Sequence, residues 1–389
     1  MKSLFVLIIP LLLACASCNS VQAANVSPGA SVGNGSLQHE VDLALERGAQ
    51  FLIGAQTTEG SWSNAKHPAI TSLGLLALGK LPGKRSPETV EVLARGYKFV
   101  RAQVRENGGI YVESLSNYNT AVCTLALLRL GDPADLRVIE GARQFLVAQQ
   151  ASGMVAPELD GGIGYGPTGV SPKRQHPDLD NTLVALEALR ACELARKGEE
   201  KAALPALDWK AAIAFVTRCQ NMGETNPLPN ISVQPADRGG FVYYPGFSNA
   251  GATDLPDGSK ALRSYGSMSY AGLLSFIYAE LSPADPRMKA AREWLGANFT
   301  LEENPGLGEQ GLFYYYHLMA KALAASGGDV APGNNRVPEG WAKDLALKIV
   351  QLQSGNGSWT NKNGRWMEAD PVLATAYSML TLELIRERL

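Results

Sequence analysis

Five carboxylates could carry acid–base chemistry in this chain of 389 residues: Asp160, Asp178, Asp180, Glu368 and Asp370. Enzymes that cleave glycosidic bonds usually use two carboxyl groups on opposite sides of a cleft. The spacing of these five residues along the chain does not show which two would form such a pair. Asp178 and Asp180 stand two residues apart at the predicted start of a helix. An Asp at such a position also serves as an N-cap worth about 1 kcal/mol. Acid chemistry and helix capping therefore remain alternatives for this segment.

Aromatic residues are the second group that could contact a ligand. Tyr265 and Tyr270 lie near the start of one predicted helix, and the run Tyr314-Tyr315-Tyr316 begins another. Ring faces can stabilise a cation, although phenols also pack helices while forming one hydrogen bond. Three consecutive helical residues point in three directions, so at most two of the run face a lumen. We predict ligand contacts for Tyr165, Tyr265, Tyr270, Tyr315, Tyr316, His317 and Trp366.

The elements that must position these side chains come from an internal repeat. Gln56-Thr-Thr-Glu-Gly-Ser-Trp62 recurs near the other end of the chain as Gln353-Ser-Gly-Asn-Gly-Ser-Trp359. Looser versions follow Gln103, Gln149-Gln150 and Gln220, each leading to a Gly-Gly pair. Each Gln ends a helical stretch, and each Gly pair makes a turn into an apolar helix.

Charge divides the predicted helices into two alternating sets. The segments before the turns mix charged and apolar residues: 38–55, 87–102, 134–149, 208–220, 284–298 and 339–352. The segments after the turns carry little charge: 68–80, 118–131, 179–196, 265–281, 311–325 and 371–387. A helix that is apolar on all faces is buried on all faces, so the two sets form concentric rings. We predict an all-α fold, a single (α/α)6 barrel of six helical hairpins over 38–389.

One mouth of this toroid should hold the ligand site. All inner helices begin at the Gly-rich turns, so their N-termini meet at one mouth and present backbone N–H groups there. The long loops 151–178, 221–264 and 354–370 lie at the same mouth. Long loops on one rim are where ligand contacts usually occur, and Tyr165 and Trp366 belong to two of them.

The repeat motifs resemble those of a known group of toroids. The Q-x-x-x-G-S-W element at 56–62 and 353–359 is similar to the QW motif of squalene-hopene cyclases. The segment Gly239-Gly-Phe-Val-Tyr-Tyr-Pro-Gly246 looks like a turn of protein prenyltransferase β-subunits. This resemblance covers the chain from residue 40 onward and implies the same toroid. It says less about the reaction, because one fold hosts many functions.

The resemblance also suggests catalytic roles for Asp178, Asp180 and Asn181. Residues 176–182 resemble the D-x-D-D-T-A motif of class II terpene cyclases, in which the middle carboxylate protonates an alkene. That residue would be Asp180, with Asp178 beside it, while Asn181 replaces the last Asp. A helix N-terminus lowers the pKa of a carboxylate, and Asn181 lacks the charge that would help hold the extra proton. We therefore expect weak acid chemistry or none, and a stabilising role for the segment.

The resemblance to prenyltransferases raises the possibility of a zinc site. That family takes zinc from an Asp, a Cys and a His on consecutive inner helices, and His317 stands where the His would be. The matching Asp and Cys should occur near Ser264 to Gly266, and the sequence has neither there. One ligand of three does not make a zinc site, so we expect no metal and no cofactor.

The N-terminus has the pattern of an export signal. Lys2 precedes an apolar run over 4–14 that is too short to span a bilayer. Val21-Gln-Ala23 predicts cleavage before Ala24, which gives a signal peptide over 1–23, a flexible linker over 24–37 and a secreted or periplasmic protein. Alternatively, Leu12-Leu-Ala-Cys15 resembles a lipobox, which would make the protein a lipoprotein anchored to a membrane through Cys15.

Composition argues against several classes of function. A net charge of −2 without a basic stripe is not the surface of a nucleic-acid-binding protein. Cys123, Cys192 and Cys219 stand singly in predicted helices without C-x-x-C spacing. Buried thiols are therefore predicted, rather than a disulfide framework or a zinc knuckle. We expect a monomer.

Three functions remain open for the mouth of the toroid. The first is enzymatic, an isomerisation or cyclisation of an isoprenoid that Asp180 initiates. The second is non-catalytic binding of a lipid, glycan or peptide, and the third is hydrolysis or lysis of a glycan. An apolar tunnel ending on Asp180 would favour the first function, a shallow polar dish the second, and two carboxylates one water's width apart the third.

Overall fold

The computed structural model describes residues 32–81, 83, 85–166, 168, 171, 175–196, 205–256, 258–326 and 337–389. Within these residues the chain forms twelve α-helices and two short two-stranded sheets. The odd-numbered helices are α1 Val32–Ala55, α3 Pro87–Arg101, α5 Leu136–Ala148, α7 Trp209–Arg218, α9 Pro286–Ala297 and α11 Trp341–Gln351. The even-numbered helices are α2 Pro68–Lys80, α4 Ser116–Leu130, α6 Leu179–Ala195, α8 Gly266–Tyr278, α10 Leu312–Ala325 and α12 Pro371–Arg386.

The even-numbered helices form a closed inner ring. Each packs against the next, from α2 through α4, α6, α8 and α10 to α12, and α12 packs back against α2. The odd-numbered helices lie outside, where α1 contacts α3, α11 and α12. Because the inner helices are packed between their neighbours in the ring and the outer helices, their low content of charged residues follows from burial. The predicted all-α (α/α)6 toroid is confirmed, including its closure between the first and last hairpins.

The bounds of the first helix differ from the prediction. Helix α1 begins at Val32, so the predicted flexible linker over 24–37 is wrong for residues 32–37. Leu37 and Val41 of this helix are buried in the core. Their packing supports a helical turn in a Gly/Ser-rich segment whose intrinsic helix propensity is low. The predicted signal peptide, the first part of the linker and Cys15 lie outside the described residues.

Repeat glutamines tie successive outer helices together. The side-chain amide of Gln56, just after α1, donates to the carbonyl of Val92 in α3 at 2.9 Å. Gln353, after α11, donates to the carbonyl of Ala44 in α1 at 2.9 Å, which joins the last hairpin to the first. The equivalent bonds run from Gln150 to Asp208 and from Gln220 to Arg287. The repeated Gln is therefore a link between neighbouring hairpins rather than a ligand contact.

Packing also explains the Gly and Trp positions of the motif. Gly60 has a φ of +89°, and a Cβ at this position would overlap the carbonyl oxygen of Arg95 in α3. Trp62 is fully buried, and its indole N–H donates to the carbonyl of Leu52 at 2.7 Å. Glycine is required where the backbone has positive φ and another chain segment approaches this closely. The motif thus encodes the contact between hairpins.

Candidate functional site

A cavity of about 330 Å³ opens at the mouth where the inner helices begin. Residues near the N-terminal ends of all six inner helices line it, together with residues of the preceding loops. Much of its wall is apolar, with Ile70, Leu73, Met268 and Leu373 between tyrosine rings. The volume is at the lower end of the range of small-molecule sites, about 300–1,000 Å³. The cavity lies at the mouth that the sequence predicts.

Asp180 supplies a carboxylate in the cavity wall. It is the second residue of α6 and is half-buried. The hydroxyl of Tyr314 on α10 donates a hydrogen bond to its Oδ1. Burial raises the pKa of Asp180, and the Tyr314 hydrogen bond opposes that rise only in part. The expectation that the helix N-terminus lowers this pKa is wrong, because the loss of hydration outweighs it.

Asp178 is fully buried and caps α6. Its Oδ1 accepts the backbone N–H of Asn181, and its Oδ2 accepts the side-chain amide of the same residue, both at 2.8 Å. Burial, followed by the negative charge of Asp180, raises the pKa of Asp178 to about 8. The predicted N-cap is confirmed. Asn181 orients Asp178, and not the carboxyl group of Asp180.

A short sheet fixes the approach of the chain to α6. Strand β1 (Ile163–Gly164) pairs antiparallel with β2 (Pro177–Asp178), and Ile163 stands opposite Asp178. The Thr182 hydroxyl accepts the backbone N–H of Ile163 at 2.9 Å. These bonds hold the first turn of α6 against the loop that precedes it, so Asp178 and Asp180 are presented by rigid backbone.

Three of the predicted ligand contacts do line the cavity: Tyr165, Tyr265 and Trp366. The hydroxyls of Tyr165 and Tyr243 hydrogen-bond to each other at 2.7 Å. The hydroxyl of Tyr265 accepts the side-chain amide of Asn249 at 3.1 Å. Whether these residues bind a substrate stays a prediction, but their rings face the cavity.

Four other predicted contacts do not line the cavity. The hydroxyls of Tyr315 and Tyr316 donate to the carbonyls of Thr300 and Leu301 at 2.9 and 2.5 Å, outside the lumen. Tyr270 is fully buried, with its ring centre 5.7 Å from that of Tyr315. Their assignment to the cavity wall is wrong. Helix α10 is rotated so that Tyr314, rather than Tyr315 or Tyr316, faces the cavity. His317 lies on the same face as Tyr314 but one turn further from the mouth.

The sequence reasoning missed Tyr243, in the loop before α8, and three cavity tyrosines on inner helices: Tyr118, Tyr314 and Tyr377. The hydroxyls of Tyr118 and Tyr377 hydrogen-bond to each other at 3.1 Å. The ring of Tyr377 lies 5.5 Å from that of Tyr314. Each of these three belongs to the first or second turn of an inner helix, as Asp180 does. Aligning the inner helices by their starts would have singled out Tyr118 and Tyr314, each of which is the third residue of its helix.

The loop before α12 covers part of the mouth. Trp366 and Met367 both have positive φ, 54° and 67°, and both line the cavity. Glu368 follows them and is buried at 1% exposure. Its carboxylate accepts the backbone N–H of Tyr314 at 2.7 Å and the side-chain amide of Asn361 at 2.8 Å. Glu368 thus caps the N-terminus of α10, and its oxygens are occupied by donors.

The two remaining candidate carboxylates serve turns and caps. Asp160 accepts the backbone N–H of Met154 at 2.8 Å, and Asp370 caps α12 by accepting the backbone N–H of Val372 at 2.9 Å. Neither lines the cavity. Of the five carboxylates, Asp180 and Glu368 line it, and of these two Asp180 alone does not cap a helix.

Other features bear on metals, thiols and membranes. Among the described residues, no three His, Cys, Asp or Glu side chains converge in a way that could hold a metal ion. Cys123, Cys192 and Cys219 are buried free thiols, as predicted. In the described part of the chain, no helix combines the length and apolar character needed to cross a bilayer.

Comparison with known proteins supports the fold and leaves the reaction open. No protein-family model matches the chain, and no curated protein matches it. A type II terpene cyclase from Scytonema, solved with its substrate geranylgeranyl dihydroxybenzoate, superposes with a TM-score of 0.55 over 91% of this chain and 100% of its own, at 12% identity.

Two further structures share the toroid. A protein from Klebsiella pneumoniae, described as a possible member of the GH105 family, gives a TM-score of 0.54 over 95% of this chain and 100% of its own, at 12% identity. A protein from Actinoplanes gives 0.53 over 89% of this chain and 99% of its own, at 15% identity. At these identities the likeness concerns the α/α toroid and not the chemistry of the mouth.

Proposed function

We propose that this protein is an enzyme that isomerises or cyclises an isoprenoid, with Asp180 as the acid that starts the reaction. The observation that carries the proposal is the position of Asp180 in the wall of a largely apolar cavity that six helix N-termini and several tyrosine rings surround. A largely apolar cavity in which Asp180 is the one lining carboxyl group that does not cap a helix suits a hydrocarbon better than a glycan. The proposal is in keeping with the substrate of the Scytonema cyclase, although that likeness by itself concerns the fold.

Protonation of an alkene needs an acid that is strong and still protonated at the working pH. Burial raises the pKa of Asp180 and so keeps its proton on at higher pH. The hydroxyl of Tyr314 donates to Oδ1, which stabilises the carboxylate that remains after the proton has left. The two effects meet the opposing requirements of such an acid. In the proposed first step, the carboxyl O–H bond breaks, the proton adds to one alkene carbon, and a carbocation forms at the other.

The tyrosines around Asp180 suit the second requirement, which is stabilisation of the cation. Tyr118, Tyr165, Tyr265 and Tyr377 present rings to the same cavity, and a ring face attracts a cation by about 0.5–2 kcal/mol. In the proposed later steps, a second double bond attacks the cation to close a ring, or a neighbouring carbon loses a proton. Water removes that proton at the mouth, so the net reaction is a rearrangement.

The two alternative functions receive less support. Glycan cleavage needs a second free carboxylate, but Glu368 already accepts backbone and amide donors at the start of α10. Non-catalytic binding of a lipid would use the same apolar cavity and differs from the proposal only in the absence of turnover. We further propose that the protein is exported, either with cleavage of a signal peptide before Ala24 or with lipidation of Cys15. We also propose that it works as a monomer.

The test is turnover of farnesol, geranylgeraniol and squalene in D2O, followed by mass spectrometry of the products. We expect one deuterium on carbon per product molecule, and loss of turnover in Asp180→Asn while this variant stays folded and loses less than about 1 kcal/mol of stability. Asp370→Asn is the matched control, because Asn is as good an N-cap as Asp and Asp370 lies outside the cavity. Turnover that persists in Asp180→Asn would contradict the assignment of the acid. Tight binding of these compounds without turnover would favour the binding protein.

A further inference from the structure

Below the cavity, two polar contacts join α6 to α10. The hydroxyl of Tyr314 donates to Asp180 at the cavity, and the ammonium of Lys321 pairs with the carboxylate of Glu187 deeper in the barrel. The second contact is displaced by seven residues along both helices, which is about 10 Å at 1.5 Å per residue. Polar side chains thus continue along the axis of the barrel from the cavity towards the opposite end.

Partly exposed side chains continue along this line. On α10 the partly exposed side chains include Tyr314, His317 and Lys321, and on α6 they include Asp180 and Glu187. These spacings select one face of each helix. Since both helices belong to the closed inner ring, this exposed surface faces the lumen and not the outside. We call these five residues the lumen column.

His317 occupies the gap between the two contacts. Its ring lies 5.5 Å from that of Tyr377, which lies 5.5 Å from that of Tyr314. Its Nδ1 is buried and has no hydrogen-bond partner among the described residues. Burial, followed by the positive charges of Lys321 and Lys80, lowers the pKa of His317 well below its ordinary value. A neutral imidazole can accept a proton on one nitrogen and release it from the other.

The polar line continues to the end of the barrel opposite the cavity. Lys80 is the last residue of α2, and Glu383 lies near the end of α12. Both carboxylate oxygens of Glu383 are buried without a hydrogen-bond partner in the described part of the chain. Buried polar atoms of this kind usually have a functional reason or are bridged by water.

An acid-initiated reaction must restore the proton on Asp180 after each turnover. An apolar substrate that fills the cavity separates Asp180 from water at the mouth, and the lumen column is the polar route on its other side. We infer that the lumen column returns protons to Asp180 from the far end of the barrel, with His317 as the residue that carries them between the Glu187–Lys321 contact and Tyr314. This inference rests on the proposed function.

The proton balance closes over one turnover. Asp180 gives one proton to an alkene carbon, and the rearranged cation loses one proton to water at the mouth. One proton from water at the far end passes through His317 to Tyr314, whose hydroxyl proton moves to Oδ1 of Asp180. No electron transfer and no further reactant is needed.

Pre-steady-state kinetics with farnesol, geranylgeraniol or squalene, whichever the wild type converts fastest, tests the inference. In His317→Gln, which keeps hydrogen-bonding capacity but cannot titrate, we expect one product per enzyme at the wild-type rate, followed by turnover about tenfold slower or more. The double variant Glu187→Gln/Lys321→Met removes the second contact without leaving a charge unpaired and should behave in the same way. Tyr315→Phe, on the outward side of α10, should match the wild type in both phases.

Other results would overturn the inference. Unchanged steady turnover in His317→Gln would exclude the relay while leaving Asp180 as the acid. An equal slowing of the first and later turnovers would assign His317 a structural role. If the wild type converts none of the three compounds, the proposed function itself fails, and the relay fails with it because no reaction consumes the proton.

Discussion

Asp178→Asn tests how the buried cap of α6 couples stability to pH. Asp178 is fully buried, and its pKa is raised from 3.8 to about 8 in the folded protein. A carboxyl group whose pKa rises on folding contributes stability fully below its unfolded pKa, and this contribution is lost as the pH rises through the folded pKa. Each unit of pKa corresponds to about 1.4 kcal/mol. The change over roughly four units is therefore of the order of 5 kcal/mol.

The Asn variant can keep the geometry of the cap. In the wild type, Asp178 accepts the backbone and side-chain N–H groups of Asn181, while Oδ1 of Asn181 is buried without a partner among the described residues. An amide at position 178 still accepts the backbone N–H, and a flipped Asn181 amide would then accept from it. We therefore expect Asp178→Asn to match the wild type near pH 4 and to be more stable at pH 9.

Thermal and urea melts at pH 4, 6 and 9 measure this difference. Asp178→Ala, which removes the cap, should lose about 1 kcal/mol near pH 4, and Asp180→Asn should lose less. Asp208→Asn is the control, because Asp208 caps α7 in an exposed position and should change the melts by under about 1 kcal/mol. Parallel pH profiles for the wild type and Asp178→Asn would refute the argument that burial raises the pKa of Asp178.

Three further predictions follow from the ring and the cavity. Deletion of residues 338–389 should give an aggregating chain, because it removes α12 from between α10 and α2. Light scattering measures the aggregation. A truncated chain that is monomeric and melts cooperatively would indicate an open solenoid instead of a closed ring. Tyr314→Phe should raise the pKa of Asp180 further, since it removes the hydrogen bond that lowers it, and should shift the pH profile of turnover to higher pH; an unchanged profile would exclude this bond as the tuning contact. After dialysis against trace zinc, elemental analysis should find a zinc content near zero in both the wild type and His317→Ala. Stoichiometric zinc in the wild type that is absent from His317→Ala would restore the analogy with prenyltransferases.

Local chemistry made the architecture predictable from the sequence. The repeated Gln, Gly and Trp mark each turn, because the Gln links neighbouring hairpins and Gly60 has a positive φ beside a carbonyl oxygen. The alternation of charged and uncharged helices then predicts two concentric rings. All inner helices begin at these turns, which predicts that their N-termini meet at one mouth of the barrel. The cap by Asp178 was predictable for the same reason, since it depends on residues within one turn of the helix.

Only the tertiary structure decided which side chains form the site and in which protonation state. A helix that is apolar on every face has no hydrophobic pattern to set its rotation, so the sequence could not tell that Tyr314 faces the lumen while Tyr315 and Tyr316 face away. The direction of the pKa shift of Asp180 depends on burial by segments that are distant in the chain. Glu368 likewise became a cap of α10 only when the loop before α12 was folded over the mouth.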